Sequence, residues 1–124
     1  MLKVHVQKVG DVAVLCLRGG IGVGETSVLR NAVLSQLDAG SIVLDFGKVN
    51  RIDAAGLGLL LELRQQTQSK RTALKLMNVT KLIKHVMEIT RLSPVFQFTS
   101  EGEILSTPAA KRTGKPFRLI ACTQ

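Results

Sequence analysis

This sequence predicts an α/β fold, a mixed β-sheet of about five strands with four helices in the order β-β-α-β-α-β-α-β-α. Three observations lead there. Strand-length apolar runs alternate with segments whose apolar residues recur at helical spacing. The first two strands are joined by a short turn, which makes them antiparallel. Later strands are separated by helices, which makes those pairs parallel crossovers.

Taken in order, Leu2, Val4 and Val6 alternate with Lys3, His5 and Gln7, the two-residue period of a half-buried strand. Lys8-Val9-Gly10-Asp11 turns the chain, and residues 12–17 form the nearly continuous apolar run of a central strand. Residues 19–24, with four glycines among six residues, are expected to be a flexible loop. Val28, Leu29, Ala32, Val33 and Leu37 then recur at helical spacing, so a first helix is expected over residues 25–39, stopped by Gly40. Residues 41–46 are a buried-type strand. Asp53 is a good N-cap for a second helix running to Ser69, with Leu57, Leu60, Leu61 and Arg64 along one face and Leu59 and Leu63 widening the stripe. Residues 73–77 are a fourth strand. Thr80 caps a third helix through Arg91, in which Leu82, Ile83, Val86 and Met87 face inward. Residues 95–98 make a short fifth strand. Ser100 with Glu103 has the spacing of a capping box for a last short helix, which Pro108 should end. The expected organisation is a domain over residues 1–105 and a basic C-terminal tail over 106–124. In that tail Phe117, Leu119 and Ile120 leave both an added strand and disorder open.

With 124 residues, 45% hydrophobic and 21% charged, the chain is of ordinary single-domain size and can bury a core without disulfide or metal staples. Its two cysteines, Cys16 in an apolar strand and Cys122 near the C-terminus, are expected to be reduced thiols of a cytoplasmic protein. The first residues lack the apolar core of a signal peptide, and no apolar run reaches the roughly 18 residues of a membrane span, so neither secretion nor membrane insertion is expected. The net charge is +8 and is unevenly placed. Residues 1–63 carry six basic and six acidic groups; residues 64–91 hold Arg64, Lys70, Arg71, Lys75, Lys81, Lys84 and Arg91 against Glu88 alone. Lys111, Arg112, Lys115 and Arg118 in the tail face no acid. Such regions are either a solvated face or a patch for an acidic partner. Nucleic acid is a poor candidate, because base stacking needs aromatic side chains and the chain has four Phe, no Tyr and no Trp.

Several chemistries fail on spacing. A dinucleotide-binding loop needs Gly at 19, 21 and 24 or at 20, 22 and 25, and Ile21 and Glu25 break the two registers. No Gly-Lys-Ser/Thr follows to make a phosphate loop. His5 and His85 are isolated, without cysteine or carboxylate at ligand spacing, so neither a metal nor another cofactor is expected. Asp45 and Asp53, at a strand end and a helix cap, are explained by those roles without acid/base catalysis. No nucleophile and base pair up, and no enzyme is expected.

The informative stretch is Ile42-Val43-Leu44-Asp45-Phe46-Gly47-Lys48-Val49-Asn50-Arg51-Ile52-Asp53-Ala54-Ala55-Gly56-Leu57-Gly58-Leu59-Leu60. A strand with an acidic end is followed by a loop pinned by Val49 and Ile52, and then Asp53 opens a helix of small residues. Together with the element order and the closing Arg91-Leu92-Ser93-Pro94-Val95-Phe96, this resembles the STAS domain, the fold of bacterial anti-sigma factor antagonists, over residues 2–105. The family pattern is an Asp-Ser-Ser-Gly or Asp-Ser-Thr-Gly turn before a Leu-rich helix. The resemblance implies a cytoplasmic protein-interaction regulator whose partner is an anti-sigma factor, often itself a serine kinase; phosphorylation of the second hydroxyl residue of the turn releases the partner. It implies a partner-binding surface at Gly22, Val23, Gly24, Asp53, Ala54, Ala55, Gly56 and Leu57, with Leu57 as an apolar anchor if exposed. Here Ala55 stands at the phosphoacceptor position and Ala54 at the hydroxyl before it, so neither accepts a phosphoryl group. Gly22 stands where many antagonists have Asp. Thr26 and Ser27 are the nearby hydroxyls that could carry a displaced switch. The alternative function is a STAS subunit of a larger assembly, such as a stress-signalling scaffold or the partner of a lipid-transport ATPase. Whether the chain is a monomer or a dimer stays open.

Overall fold

In the computed structural model residues 1–106 are described, with side chains as far as Ile104. The expected tail, including Pro108, Phe117, Leu119, Ile120 and Cys122, lies outside the described residues. The elements are β1 (Lys3–Val9), β2 (Val12–Ile21), α1 (Thr26–Leu34), β3 (Ser41–Ile52), α2 (Ala54–Ser69), β4 (Ala73–Met77), α3 (Lys81–Ile89), a 3-10 turn (Ser93–Val95), β5 (Gln97–Thr99) and α4 (Glu101–Ser106). The mixed five-stranded sheet with four helices is the expected class, in the expected order.

The strands lie side by side in chain order, β1-β2-β3-β4-β5. β1 pairs antiparallel with β2 through a tight turn at Gly10 and Asp11, where Gly10 takes φ 62°, a conformation glycine adopts freely. The other three pairings are parallel. Alternation along the strands sorts the core. Ala13, Leu15 and Leu17 of β2, Ile42, Leu44 and Phe46 of β3, and Leu74 and Leu76 of β4 face one side. There they pack under Leu29 and Val33 of α1, Leu57, Leu60 and Leu63 of α2, and Ile83 and Met87 of α3. Val12, Val14, Val43 and Met77 face the other side with Ile104 of α4. Because every crossover steps to the next strand in the same direction, α1, α2 and α3 cover a single face and no reversal of strand order opens a crevice.

The structure corrects five sequence expectations. Residues 19–21 are strand, not loop. β2 and β3 run on past Leu17 and Phe46 as a two-stranded ribbon, in which Gly19 pairs with Val49, Gly20 with Arg51 and Ile21 with Ile52. Two register shifts absorb the irregular backbone, which the glycines permit. Helix α1 is shorter than residues 25–39, because Ser35 bonds back to the Ala32 carbonyl at 2.7 Å and the chain turns from there to Gly40. Leu82 does not face inward; it is 59% exposed, since Ile83 and Met87 centre the buried stripe of α3. The fifth strand is displaced to Gln97–Thr99, as Pro94 sits in the first turn of the 3-10 helix. Cys16 is not a reduced thiol but is disulfide-bonded. Among the described residues no helix is long and apolar enough to cross a membrane.

Candidate functional site

Helix α2 begins where the β2–β3 ribbon ends. Asp53, with extended backbone, accepts a hydrogen bond from the Gly56 amide at 3.0 Å and so caps the helix; its own amide donates to the Ile21 carbonyl at 3.3 Å. This double tie docks the first turn of α2 on the end of β2. A Cβ on Gly56 would run into the Ile21 carbonyl oxygen and lie 2.8 Å from Cγ1 of Ile52. The glycine is what lets the helix approach the strand so closely.

The start of α1 meets this turn from the other side. The Glu25 amide donates to the Gly22 carbonyl at 3.0 Å, turning the chain into the helix, and no side chain caps α1. Gly22 lies under two carboxylates: a Cβ there would be 2.8 Å from Oδ2 of Asp53 and 3.6 Å from Oε2 of Glu25. Glu25 is itself held 3.8 Å from the Arg51 guanidinium. A little further along, Arg30 of α1 donates to Glu62 of α2 at 2.7 Å, bracing the two helices. That hydrogen bond, the largest effect, holds the Glu62 carboxyl below its ordinary value against partial desolvation, and it raises Arg30.

The eight expected site residues thus cluster at one end of the sheet but divide by burial. Val23, 79% exposed, Gly24, Asp53 and Ala54 are exposed and Ala55 is half-buried. Gly22, Gly56 and Leu57 are buried, so Leu57, 7% exposed, belongs to the core and cannot anchor a partner. Sequence reasoning missed four residues of this surface: Glu25, Val28, Gly58 and Leu61. The last three are exposed, Leu61 lies two turns along α2 from Ala54, and nothing lies within 4 Å of a Cβ built on Gly58. A signal for them existed. Residues 54–61 contain no polar side chain, and a helix packed on one face of a sheet cannot bury all of its sides. Ser27 is exposed on the first turn of α1, while Thr26 is half-buried, with Oγ1 3.5 Å from the Val23 carbonyl.

Chemically this cluster presents a surface of small and aliphatic side chains. Its carboxylates serve as cap and brace. Among the described residues no group of His, Cys, Asp and Glu could hold a metal ion. Asp45, the other strand-end acid, accepts from the Gly47 amide at 2.9 Å and the Asn78 amide group at 3.2 Å, which joins the β3 bend to the loop before α3.

Comparison with known proteins bears on what such a surface meets. The family model described as "Mlab, STAS domain" matches residues 4–97. BtrV of Bordetella bronchiseptica, named as an anti-sigma factor antagonist, is 26% identical over 117 residues, which cover 93% of this chain and 99% of that protein. An anti-sigma factor antagonist from Mycobacterium paratuberculosis superposes with a TM-score of 0.74 at 16% identity, over 86% of this chain and 92% of its own. The phosphorylated form of the Bacillus cell fate determinant SpoIIAA superposes at 0.64 with 18% identity, over 83% and 96%.

Proposed function

The chain belongs to the STAS domain family, and on that premise we propose that it is an anti-sigma factor antagonist without a phosphorylation switch at the turn opening α2. It binds an anti-sigma factor and so frees the sigma factor; the function is binding, not catalysis. The contact face is the α1–α2 end, with Val23, Gly24, Asp53, Ala54 and Ala55 joined by Val28, Gly58 and Leu61. Gly22, Gly56 and Leu57 shape it from beneath.

The observation that carries this reading is the chemistry of the turn. Ala54 and Ala55 stand on the outer side of a capped helix start and end in methyl groups. A phosphate there would add about −1.5 to −2 charge to a surface that must lose its water on binding, and an alanine can never acquire it. The face therefore keeps the chemistry of a permanently unphosphorylated antagonist. The same observation favours a second reading, a STAS subunit of a larger assembly such as a stress-signalling scaffold or a lipid-transport ATPase, since a permanently docked subunit needs no release switch.

The test uses the full chain with the serine-kinase anti-sigma factor of the same cell. Titration calorimetry should give a complex that persists with ATP, with no phosphate added by intact mass. Leu61→Glu should weaken it by about tenfold or more, because it puts a charge into an apolar contact. Ala55→Ser should restore both phosphorylation and release. Phosphate on Ser27 or Thr26 with loss of the complex would replace the switchless reading by a relocated switch. No complex with any anti-sigma factor, but a stable one with a transport ATPase or scaffold protein, would select the second reading.

A further inference from the structure

Helices α2 and α3 end alike. In α2 the Thr72 amide donates to the Thr67 carbonyl at 2.9 Å and the Arg71 amide to Gln68 at 3.0 Å. In α3 the Leu92 amide donates to Met87 at 2.8 Å and the Arg91 amide to Glu88 at 3.1 Å. Both are Schellman motifs, whose left-handed residue is by default glycine, because a side chain there crowds the following carbonyl. Here both left-handed residues are arginines, Arg71 at φ 58° and Arg91 at φ 60°. The fold would be served at least as well by glycine, so the backbone does not explain the arginines.

Their surroundings do. Both side chains are exposed, as is Lys70 at the C-cap of α2, and among the described residues the side-chain ion pairs involve only Arg30 and Arg51. Each helix runs back to the start of a parallel strand, so the two C-termini share one end of the sheet, where Thr67, Gln68 and Thr72 line a depression with Val95 and Gln97, four and six residues after Arg91. Beside Arg91, Ile89 is 66% exposed, and Val86 and Leu82 continue its apolar line up α3. We propose that this end of the molecule docks an acidic protein segment, whose carboxylates bind Arg71, Arg91 and Lys70 while an aliphatic side chain covers Ile89. Charge complementarity selects that occupant, since Lys70, Arg71 and Arg91 are three exposed cations at these helix ends and Glu88 is the one acid in residues 64–91, and the guanidinium fork matches a carboxylate. An apolar centre with a charged rim is the usual anatomy of a protein interface. Nucleic acid is disfavoured because the chain has no Tyr or Trp and, among the described phenylalanines, Phe46 and Phe96 are buried and only Phe98 is exposed, too few rings for base stacking. Leu61, the residue of the α1–α2 contact face furthest along α2, lies nine residues before Lys70, about 13 Å along the helix axis, so the two surfaces do not share a residue.

The test is a double variant, Arg71→Gly with Arg91→Gly, which removes both guanidinium groups and leaves the residue the backbone favours. The probe is a blocked synthetic helical peptide of Glu, Ala and Leu with its leucines at i, i+4, titrated against the full chain at low salt. Saturable binding is expected, with amide shifts confined to residues 70–72 and 82–92. The double variant should weaken it about tenfold or more while melting no lower than the unaltered protein, and Leu61→Glu should not change it. Equal affinity in the double variant, shifts elsewhere, a lowered melting temperature, or no binding at all would each overturn the proposal. So would tighter binding to phosphatidylglycerol vesicles or to a thymidine oligonucleotide than to the peptide at equal salt.

Discussion

Two glycines two residues apart on α2, and so on opposite sides of the helix, have opposite roles, and a single kind of substitution tells them apart. Gly56 is pressed against the Ile21 carbonyl, whereas Gly58 faces open space. Gly56→Ala should therefore cost about 1–3 kcal/mol through forced displacement of the helix from the strand. Gly58→Ala should add about 0.5–1 kcal/mol, because alanine is the better helix former and meets nothing. Urea melts of the two variants check both signs, and a loss in both would mean that Gly58 is covered. Asp53→Ala should remove the cap of α2 at a cost of about 0.5–2 kcal/mol. The burial of Gly56 also means that a large residue there reports on folding, so partner binding is better tested at Ala54, Ala55 or Leu61.

Between elements, the contact that titrates is the one joining α1 to α2. The hydrogen bond from Arg30 lowers the Glu62 pKa in the folded state, so whatever the pair contributes is present above the ordinary glutamate value and is lost as pH falls through the lowered folded one. The pair is exposed, and its contribution is small. A carboxyl titration by NMR should put the Glu62 midpoint below that of an unfolded glutamate, and Arg30→Gln should return it to the ordinary range. An unshifted midpoint in the unaltered protein would show that the brace does not persist in solution. Helix α3 supplies a second contrast. Ile83→Ala should cost about 2–5 kcal/mol as a fully buried side chain, and Leu82→Ser should stay within about 0.5 kcal/mol of neutral, as measured by thermal melts.

At the scale of the whole molecule, strictly sequential strand order has a functional consequence. With α1, α2 and α3 on one face and no reversal of strand order among the described residues, the sheet has no switch-point crevice, and the proposed recognition uses exposed helix faces and ends. A net charge of +8 should then govern encounter rates more than affinity. Association with an acidic partner is expected to slow steeply between low and physiological salt, as screening shortens to about 8 to 10 Å. Stopped-flow rates across a salt series measure this, and a flat dependence would leave the cations as a solubility feature.

Much of this was legible in the chain alone because it depends on short-range chemistry. The antiparallel hairpin follows from a turn too short for a crossover, β4 from one apolar run, and the caps of α2, α3 and α4 from Asp53, Thr80 and Ser100, which accept from amides three residues on. The resemblance at Asp53-Ala-Ala-Gly likewise needed only residue types in order. Tertiary structure decided what depends on neighbours distant in sequence. Gly19 and Gly20 became strand because β3 continued alongside them. Leu57 was drawn into the core because Gly56 seats the first turn of α2 on Ile21. Leu82 was left outside because Ile83 and Met87 occupy the centre of the α3 packing stripe. The proposed contact surface can be drawn only after that sorting, since apolar pattern says how much of a helix can be buried, and only the packed sheet says which part is not.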